Sequence, residues 1–342
     1  MRVVIIGDVF VPGSSIAEAI LANPAIECDS IEVADWEIEG GGPAIHALQH
    51  QIELNGPAAV PIPPHLTALA RTADLLVVHF LPVAADILTG SESLTTVIVA
   101  RAGTENVDDA AADQAGVAVV NIAGRNAPAV AEMTLALILT EMRNISRAHL
   151  SISVGGWRKD FVSRSKELGG CTVGLIGYGN VARMFVRLLS GFDVTVLAYD
   201  PYTPPSRLAE DGVIATEIDS LFARADVVTV FARLTTENER FIGATLLGSM
   251  KPTAYFVNTA RSRLVDYDAL YDALASHSIA GAGLDVFDEE PLPLDSPWRT
   301  LDNVTLTSHF AGDTPESFAR SGVLVADALA RLLATESSCY WE

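Results

Sequence analysis

The sequence predicts an α/β protein built from two doubly wound parallel sheets, one domain interrupting the other. Three observations carry this. Short apolar runs alternate with helical stretches along almost the whole chain, the pattern of a parallel sheet covered on both faces. A single glycine-rich strand–turn–helix–strand unit sits mid-chain, between Cys171 and Asp200. A long apolar helical pattern, about Pro315 to Leu333, follows the last strand and is long enough to return to the first domain.

In the first part of the chain, strands are expected at Val3 to Ile6, Ile31 to Val33, Leu75 to His79, Val97 to Ala100 and Val117 to Asn121. Helices are expected at Ser14 to Ala22, Ala44 to Leu54, Pro64 to Arg71 and Asp108 to Ala115, with Gly40 to Pro43 a surface loop. The turn Gly7 to Gly13 lacks a dinucleotide fingerprint. Residues 126 to 150 read as one long helix, apolar over much of its circumference and so buried between domains or against another subunit. Strands then follow at Thr172 to Ile176, Val194 to Tyr199, Val227 to Phe231, Ala254 to Asn258, Gly281 to Val286 and Val304 to Thr307. Helices fall at Val181 to Leu189, Leu246 to Met250 and Asp266 to Ala275, and Pro291 to Pro297 is a loop.

The mid-chain unit is a dinucleotide-binding βαβ unit of the Rossmann type. Gly177 allows the tight turn, and Gly179 lets backbone approach a pyrophosphate. Ala182 lets the helix pack closely on the strand, and the helix N-terminus offers unpaired N–H groups to phosphate. Asp200, at the end of the second strand, is placed to accept the ribose hydroxyls and to repel a 2′-phosphate, which favours NAD over NADP.

Composition bounds the function. The 342 residues are 49% hydrophobic and 19% charged, a globular balance with room for two domains. A formal net charge of −21 disfavours nucleic acid and anionic membranes as partners and requires local arginines for any anionic substrate. Lysine is confined to Lys159, Lys166 and Lys251. Neither a membrane span nor a secretory leader is evident, so a cytoplasmic location is expected. Cys28, Cys171 and Cys339 have neither disulfide nor metal spacing. His46 and His50 stand four apart without the acid of a zinc-protease motif, so no metal is expected.

Three segments at the carboxyl ends of late strands hold candidate reacting groups, where ligands bind in such sheets. They are Val257-Asn258-Thr259-Ala260-Arg261-Ser262, Leu284-Asp285-Val286-Phe287-Asp288-Glu289-Glu290-Pro291 and Asn303-Val304-Thr305-Leu306-Thr307-Ser308-His309-Phe310-Ala311-Gly312. Oxidising a secondary alcohol needs a base, and the reverse an acid; imidazole does both near neutrality. A carboxylate such as Glu290 would orient the His309 ring, and the Arg261 fork suits a substrate carboxylate.

These segments, with Arg101-Ala102-Gly103-Thr104, Ala129-Val130-Ala131-Glu132, the glycine unit and Met250-Lys251-Pro252, resemble the NAD-dependent D-2-hydroxyacid dehydrogenase family, which includes D-3-phosphoglycerate dehydrogenase. The resemblance runs from about residue 75 onward. It implies Arg261, Glu290 and His309 as the catalytic set and Asp285 as a hydrogen-bond partner of the nicotinamide carboxamide. It places further cofactor contacts at Tyr178, Asn180, Val181 and Pro201, and, on later strands, at Ala232, Arg233, Thr259 and Ala260. Substrate contacts fall on His79, Arg101, Ala102 and Gly103 together with Arg261. It implies a flavodoxin-like substrate domain (residues 1–123, completed by 310–342) split around a Rossmann NAD-binding domain (124–309). A homodimer through the NAD-binding domain is expected, and a short form without a regulatory C-terminal domain.

The sequence departs from the family pattern in places. Phe231-Ala232-Arg233-Leu234-Thr235 stands for His-x-Pro-Leu-Thr, Ser262 for a glycine, Ser308 for a proline, and His79-Phe80 for the Arg-Ser of phosphoglycerate enzymes. Glu290 disfavours a formate dehydrogenase, which has glutamine there. An NAD-sensing corepressor that resembles the family and keeps the three residues is the non-enzymatic alternative.

Overall fold

The structure, a computed structural model, describes residues 1–338. The side chains of His46, His50 and residues 335–338 lie outside the described set, as does Cys339. In chain order the first elements are β1 (Arg2–Gly7), α1 (Gly13–Ala22), β2 (Ser30–Asp35), α2 (Gly41–Asn55), α3 (Pro64–Ala70), β3 (Leu75–Val78), α4 (Ala85–Leu88), β4 (Thr96–Val99), α5 (Asp109–Ala115) and β5 (Ala118–Asn121). Then come α6 (Ala127–Arg143), α7 (Ile145–Ser153), β6 (Thr172–Ile176), α8 (Asn180–Leu189), β7 (Thr195–Tyr199), α9 (Pro205–Glu210), β8 (Ile214–Ala215), α10 (Ile218–Arg224) and β9 (Val227–Val230). The last are α11 (Ala244–Gly248), β10 (Tyr255–Asn258), α12 (Tyr267–Ala275), β11 (Gly281–Leu284), β12 (Val304–Leu306) and α13 (Pro315–Ser338). The chain divides into two compact units, one of residues 1–125 with the segment from Thr314 onward, the other Asn126–Asp313.

The first unit is a five-stranded sheet in the order β2-β1-β3-β4-β5, all neighbours parallel. β3 is buried at every residue, as a strand covered on both faces must be. One face packs Val4, Ile6, Leu76 and Val78 under α2 and α3; the other packs Val3, Ile5 and Val77 under α1 and α13, through Ile16, Ile20, Val325 and Leu329. Asp108 caps α5 by accepting a hydrogen bond from the Ala111 N–H at 3.0 Å.

The second unit is a seven-stranded parallel sheet ordered β12-β11-β10-β9-β6-β7-β8. The chain runs outward from β6 through β7 to β8, then resumes on the other side at β9. The switch point therefore lies between β6 and β9, where a crevice opens at the strand ends. One face carries Phe222, Phe256, Leu270 and Leu284, the other Leu137, Ile138, Val173 and Phe185.

The short elements α4, α9, β8 and α10 are not expected from the sequence, and two further segments take a different form from the one expected. The single helix expected over 126 to 150 is two helices, because Asn144 sits in the left-handed region (φ 54°) between α6 and α7. Asparagine tolerates that conformation, and its side-chain amide donates to the Ser163 carbonyl at 2.9 Å. The apolar side of α6 is taken up in its own unit, with Leu137, Ile138 and Met142 in the core beside β6 and α8. The expected loop Gly40 to Pro43 is instead the start of α2, with Gly40 in the left-handed region and Gly41-Gly42-Pro43 in the first turn.

Candidate active site

The glycine turn occupies the switch point. Gly177 has φ 92°, and a Cβ there would lie 2.7 Å from the Ala232 nitrogen just beyond β9, so only glycine closes the turn. Gly179 differs: a Cβ there would meet nothing within 4 Å. The space in front of the α8 N-terminus is therefore open, and no side chain caps that helix among the described residues. The amides of its first turn remain for an anion. Asn180 and Val181 begin that turn.

Asp200 follows β7. Its Oδ2 accepts from the Tyr178 N–H at 2.6 Å, and its Oδ1 from the N–H groups of Tyr202 and Thr203 at 2.8 Å each. Three backbone donors thus hold the carboxylate rigidly beside the glycine turn, next to Pro201. A carboxylate has about four lone-pair sites, so one remains for a ribose hydroxyl. The Tyr178 side chain is buried, and its hydroxyl donates to the exposed Asp211 at 2.9 Å. Burial and that carboxylate hold the phenol well above its ordinary pKa.

Farther along the strand ends, Ala232 and Arg233 follow β9, with Arg233 exposed. Thr259 is buried, its hydroxyl 2.8 Å from that of Thr134, and the Ala260 N–H donates to Asn258 Oδ1 at 3.0 Å. Arg261 is exposed just beyond β10. Asn258 holds its main chain by donating from Nδ2 to the Arg261 carbonyl at 3.0 Å.

His309 and Glu290 meet directly, with Nδ1 2.7 Å from Oε2. The other carboxylate oxygen of Glu290 accepts from the Phe287 N–H at 2.9 Å, which fixes its orientation. An ionised carboxylate only accepts, so Nδ1 carries the proton and Nε2 is left for a reacting group. Partial desolvation pulls the His309 pKa down, but the hydrogen bond and charge of Glu290 outweigh it and the pKa stands above the ordinary value. Arg261 opposes this rise and Asp285 adds to it, so all four side chains share one electrostatic neighbourhood. Asp285 itself is fully buried at the end of β11.

The remaining named residues lie at the corresponding edge of the first unit. His79 is fully buried rather than at the surface. Its Nδ1 lies 2.8 Å from Asp8 Oδ2, and its Nε2 has no partner among the described residues. Burial holds His79 below its ordinary pKa. Desolvation pushes the Asp8 carboxyl up, but hydrogen bonds from His79, Val11 and Phe10 outweigh it and keep that pKa low. A neutral imidazole thus faces an ionised carboxylate. Arg101 is buried, pairs with Glu105 at 2.9 Å and Glu53 at 3.6 Å, and stacks on Phe80 at 5.0 Å. The Ala102 carbonyl accepts from Asn121 Nδ2, and Gly103 packs against the Glu105 carboxylate. The roles of Asp8 and Asn258 are not assigned by the sequence reading; their signal is a polar residue at the end of a buried apolar strand.

With this geometry in view, comparison with known proteins is decisive. Residues 135–311 match the family described as D-isomer specific 2-hydroxyacid dehydrogenase, NAD binding domain. The chain belongs to this family. It is 38% identical over 269 residues to a protein of Methanocaldococcus jannaschii named D-3-phosphoglycerate dehydrogenase, covering 78% of this chain and 51% of that protein. It thus spans about half the length of the phosphoglycerate dehydrogenases it matches. A Thermotoga maritima protein named hydroxypyruvate reductase is 36% identical over 262 residues, covering 75% of this chain and 84% of that protein. A solved D-lactate dehydrogenase from Treponema pallidum superposes with TM-score 0.74 at 22% identity, over 98% of this chain and 97% of that one, a likeness of fold. NAD is the cofactor of the matched domain. The open helix N-terminus at Gly179 and the anchored carboxylate of Asp200 fit its pyrophosphate and ribose. Among the described residues no cluster suited to a metal ion occurs, and no helix is long and apolar enough to cross a membrane.

Proposed function

We propose that the chain is a dehydrogenase that moves a hydride between NAD(H) and a D-2-hydroxyacid/2-oxoacid pair. The 2.7 Å contact of His309 with Glu290, in the field of Arg261 at the strand ends, carries this reading. Arg261 grips the substrate carboxylate and polarises the 2-oxo group. In oxidation, His309 Nε2 takes the hydroxyl proton as the C2 hydrogen leaves with its electron pair; in reduction, the imidazolium returns the proton to the carbonyl oxygen. Glu290 stabilises the imidazolium and holds the ring in the productive tautomer. When bound, nicotinamide accepts or supplies the hydride.

The named relatives point to glyoxylate, hydroxypyruvate and phosphorylated three-carbon acids as the substrates to test. Purified protein with NADH and such a panel of 2-oxo acids is expected to oxidise NADH, and His309→Ala to abolish turnover. NADH binding without oxidation across the panel would replace the enzyme with a sensor. Activity surviving in His309→Ala would remove the mechanism.

A second copy of the chain is proposed as partner of the second unit. Helix α7 has no buried residue and leaves Ile145, Leu150 and Ile152 exposed, and Val154, Trp157 and Val162 after it are exposed too. Large apolar side chains exposed in such number along one segment are the observation behind this proposal.

A further inference from the structure

Asp285 does more in this structure than await a cofactor. Its Oδ1 accepts from the Thr307 hydroxyl at 2.6 Å and from the Phe310 N–H at 3.2 Å, and its Oδ2 accepts from the Ala311 N–H at 2.9 Å. These donors lie two residues before His309 and one and two residues after it. Between them His309 adopts φ 54°, a left-handed conformation that L-residues enter only at a cost and hold only when their surroundings impose it. Asp285 is fully buried, so water does not compete for these bonds. It is itself anchored, its N–H donating to the Asn258 carbonyl at 3.0 Å. The same Asn258 holds the Arg261 main chain through its side-chain amide. A continuous set of hydrogen bonds thus ties the turn carrying His309 to the strand end carrying Arg261.

We propose that Asp285 is a positioning residue for His309: its carboxylate clamps the chain on both sides of the strained turn and so aims the imidazole at Glu290 and at the reacting hydroxyl. The inference rests on the dehydrogenase reading for its functional half only. It differs from a carboxamide contact: the His309 turn takes three of about four acceptor sites on the carboxylate, and the positioning role rests on those three and not on the site left over. Without the clamp the turn relaxes toward ordinary backbone angles, and the imidazole swings off the Glu290 oxygen.

The test is a ¹⁵N-histidine NMR titration of the full chain, with the His309 signal assigned from its loss in His309→Gln, run alongside steady-state kinetics and NADH binding by fluorescence. Asp285→Asn keeps the shape of the side chain but replaces one acceptor oxygen with a donor. It is expected to lower the His309 titration midpoint and reduce the Nδ1-protonated form. Turnover should fall about tenfold to a hundredfold, the loss that follows roughly an ångström of misplacement, while NADH affinity stays within about twofold of wild type. Thr307→Val removes one of the three donors and is expected to shift both readouts the same way by less. If Asp285→Asn does not fold, Thr307→Val alone decides. NADH affinity that falls while the His309 titration stays put would make Asp285 a cofactor ligand and overturn the proposal. An unmoved titration in either folded variant would do the same. The titration needs neither substrate nor cofactor, so a wild-type chain without turnover would defeat the dehydrogenase reading and leave the clamp standing.

Discussion

Replacing Glu290 by glutamine removes one negative charge from beside His309 and little else. The carbonyl of the new side-chain amide can still accept from the Phe287 N–H, as Oε1 does now at 2.9 Å. The amide nitrogen then presents N–H toward Nδ1, which turns the ring into the tautomer with Nε2 protonated and disfavours imidazolium. A hydrogen bond to a charged group contributes about 1.5–3 kcal/mol. The His309 and Glu290 side chains are 41% and 26% exposed, so solvent screens the pair. A reasonable net is about 1–1.5 kcal/mol, or roughly one pKa unit. The assay is the pH profile of kcat/KM for 2-oxo acid reduction, which needs the imidazolium and fails as pH rises past the His309 pKa. In wild type that pKa is raised. In Glu290→Gln the loss of activity is expected about one pH unit lower, with a smaller maximum. Stability has the same sign. A raised folded-state pKa contributes stability that is fully present below the unfolded value, about 6.5, and is lost as pH rises through the folded value. The urea-denaturation gap between wild type and Glu290→Gln should therefore close as pH is raised past neutrality. A profile whose alkaline limb does not move would refute the pairing.

Other substitutions probe the cofactor turn and the exposed helix. Gly177→Ala forces a Cβ to 2.7 Å from the Ala232 nitrogen at φ 92° and should destabilise the second unit by about 2 kcal/mol or more; NADH binding near wild-type strength would show that the turn yields more readily. Asp200→Ala strips the acceptor from three N–H groups and is expected to reduce the preference for NAD over NADP roughly tenfold, the effect of one lost hydrogen bond to a charged group. A preference that holds would count against its role at the ribose. Leu150→Glu combined with Trp157→Glu places charge on side chains that are 63% and 76% exposed. Sedimentation should then show a monomer where wild type sediments as a dimer; an unchanged mass would leave this face without a second copy.

Much of the architecture is legible in the order of residues because its cause is local. Apolar runs such as Leu75–Val78 and Val227–Val230 are buried on both faces, and their lack of alternation announces a parallel sheet. The fingerprint is legible because the positive φ of Gly177 requires glycine and Gly179 leaves the helix end open for a ligand to approach. The residues Arg261, Glu290 and His309 could be named from their segments. Their chemistry depends on a contact spanning 19 residues between Glu290 and His309, which no periodicity encodes. The break at Asn144 was not legible, since asparagine is also acceptable within a helix and only its hydrogen bond to Ser163 favours the left-handed turn.

By itself, then, the sequence determines the two parallel sheets and the single dinucleotide turn, because each follows from the preferences of neighbouring residues, and it names Arg261, Glu290 and His309 as the proposed reacting groups through their resemblance to family segments. Tertiary structure alone decides the rest. It gives Asp285 the flanks of His309 as partners, pairs the Tyr178 hydroxyl with Asp211, buries His79 against Asp8, and takes up the apolar side of α6 while leaving the large apolar side chains of α7 exposed. Those outcomes depend on which strand ends come to lie side by side, and the strand order, not the local sequence, sets that.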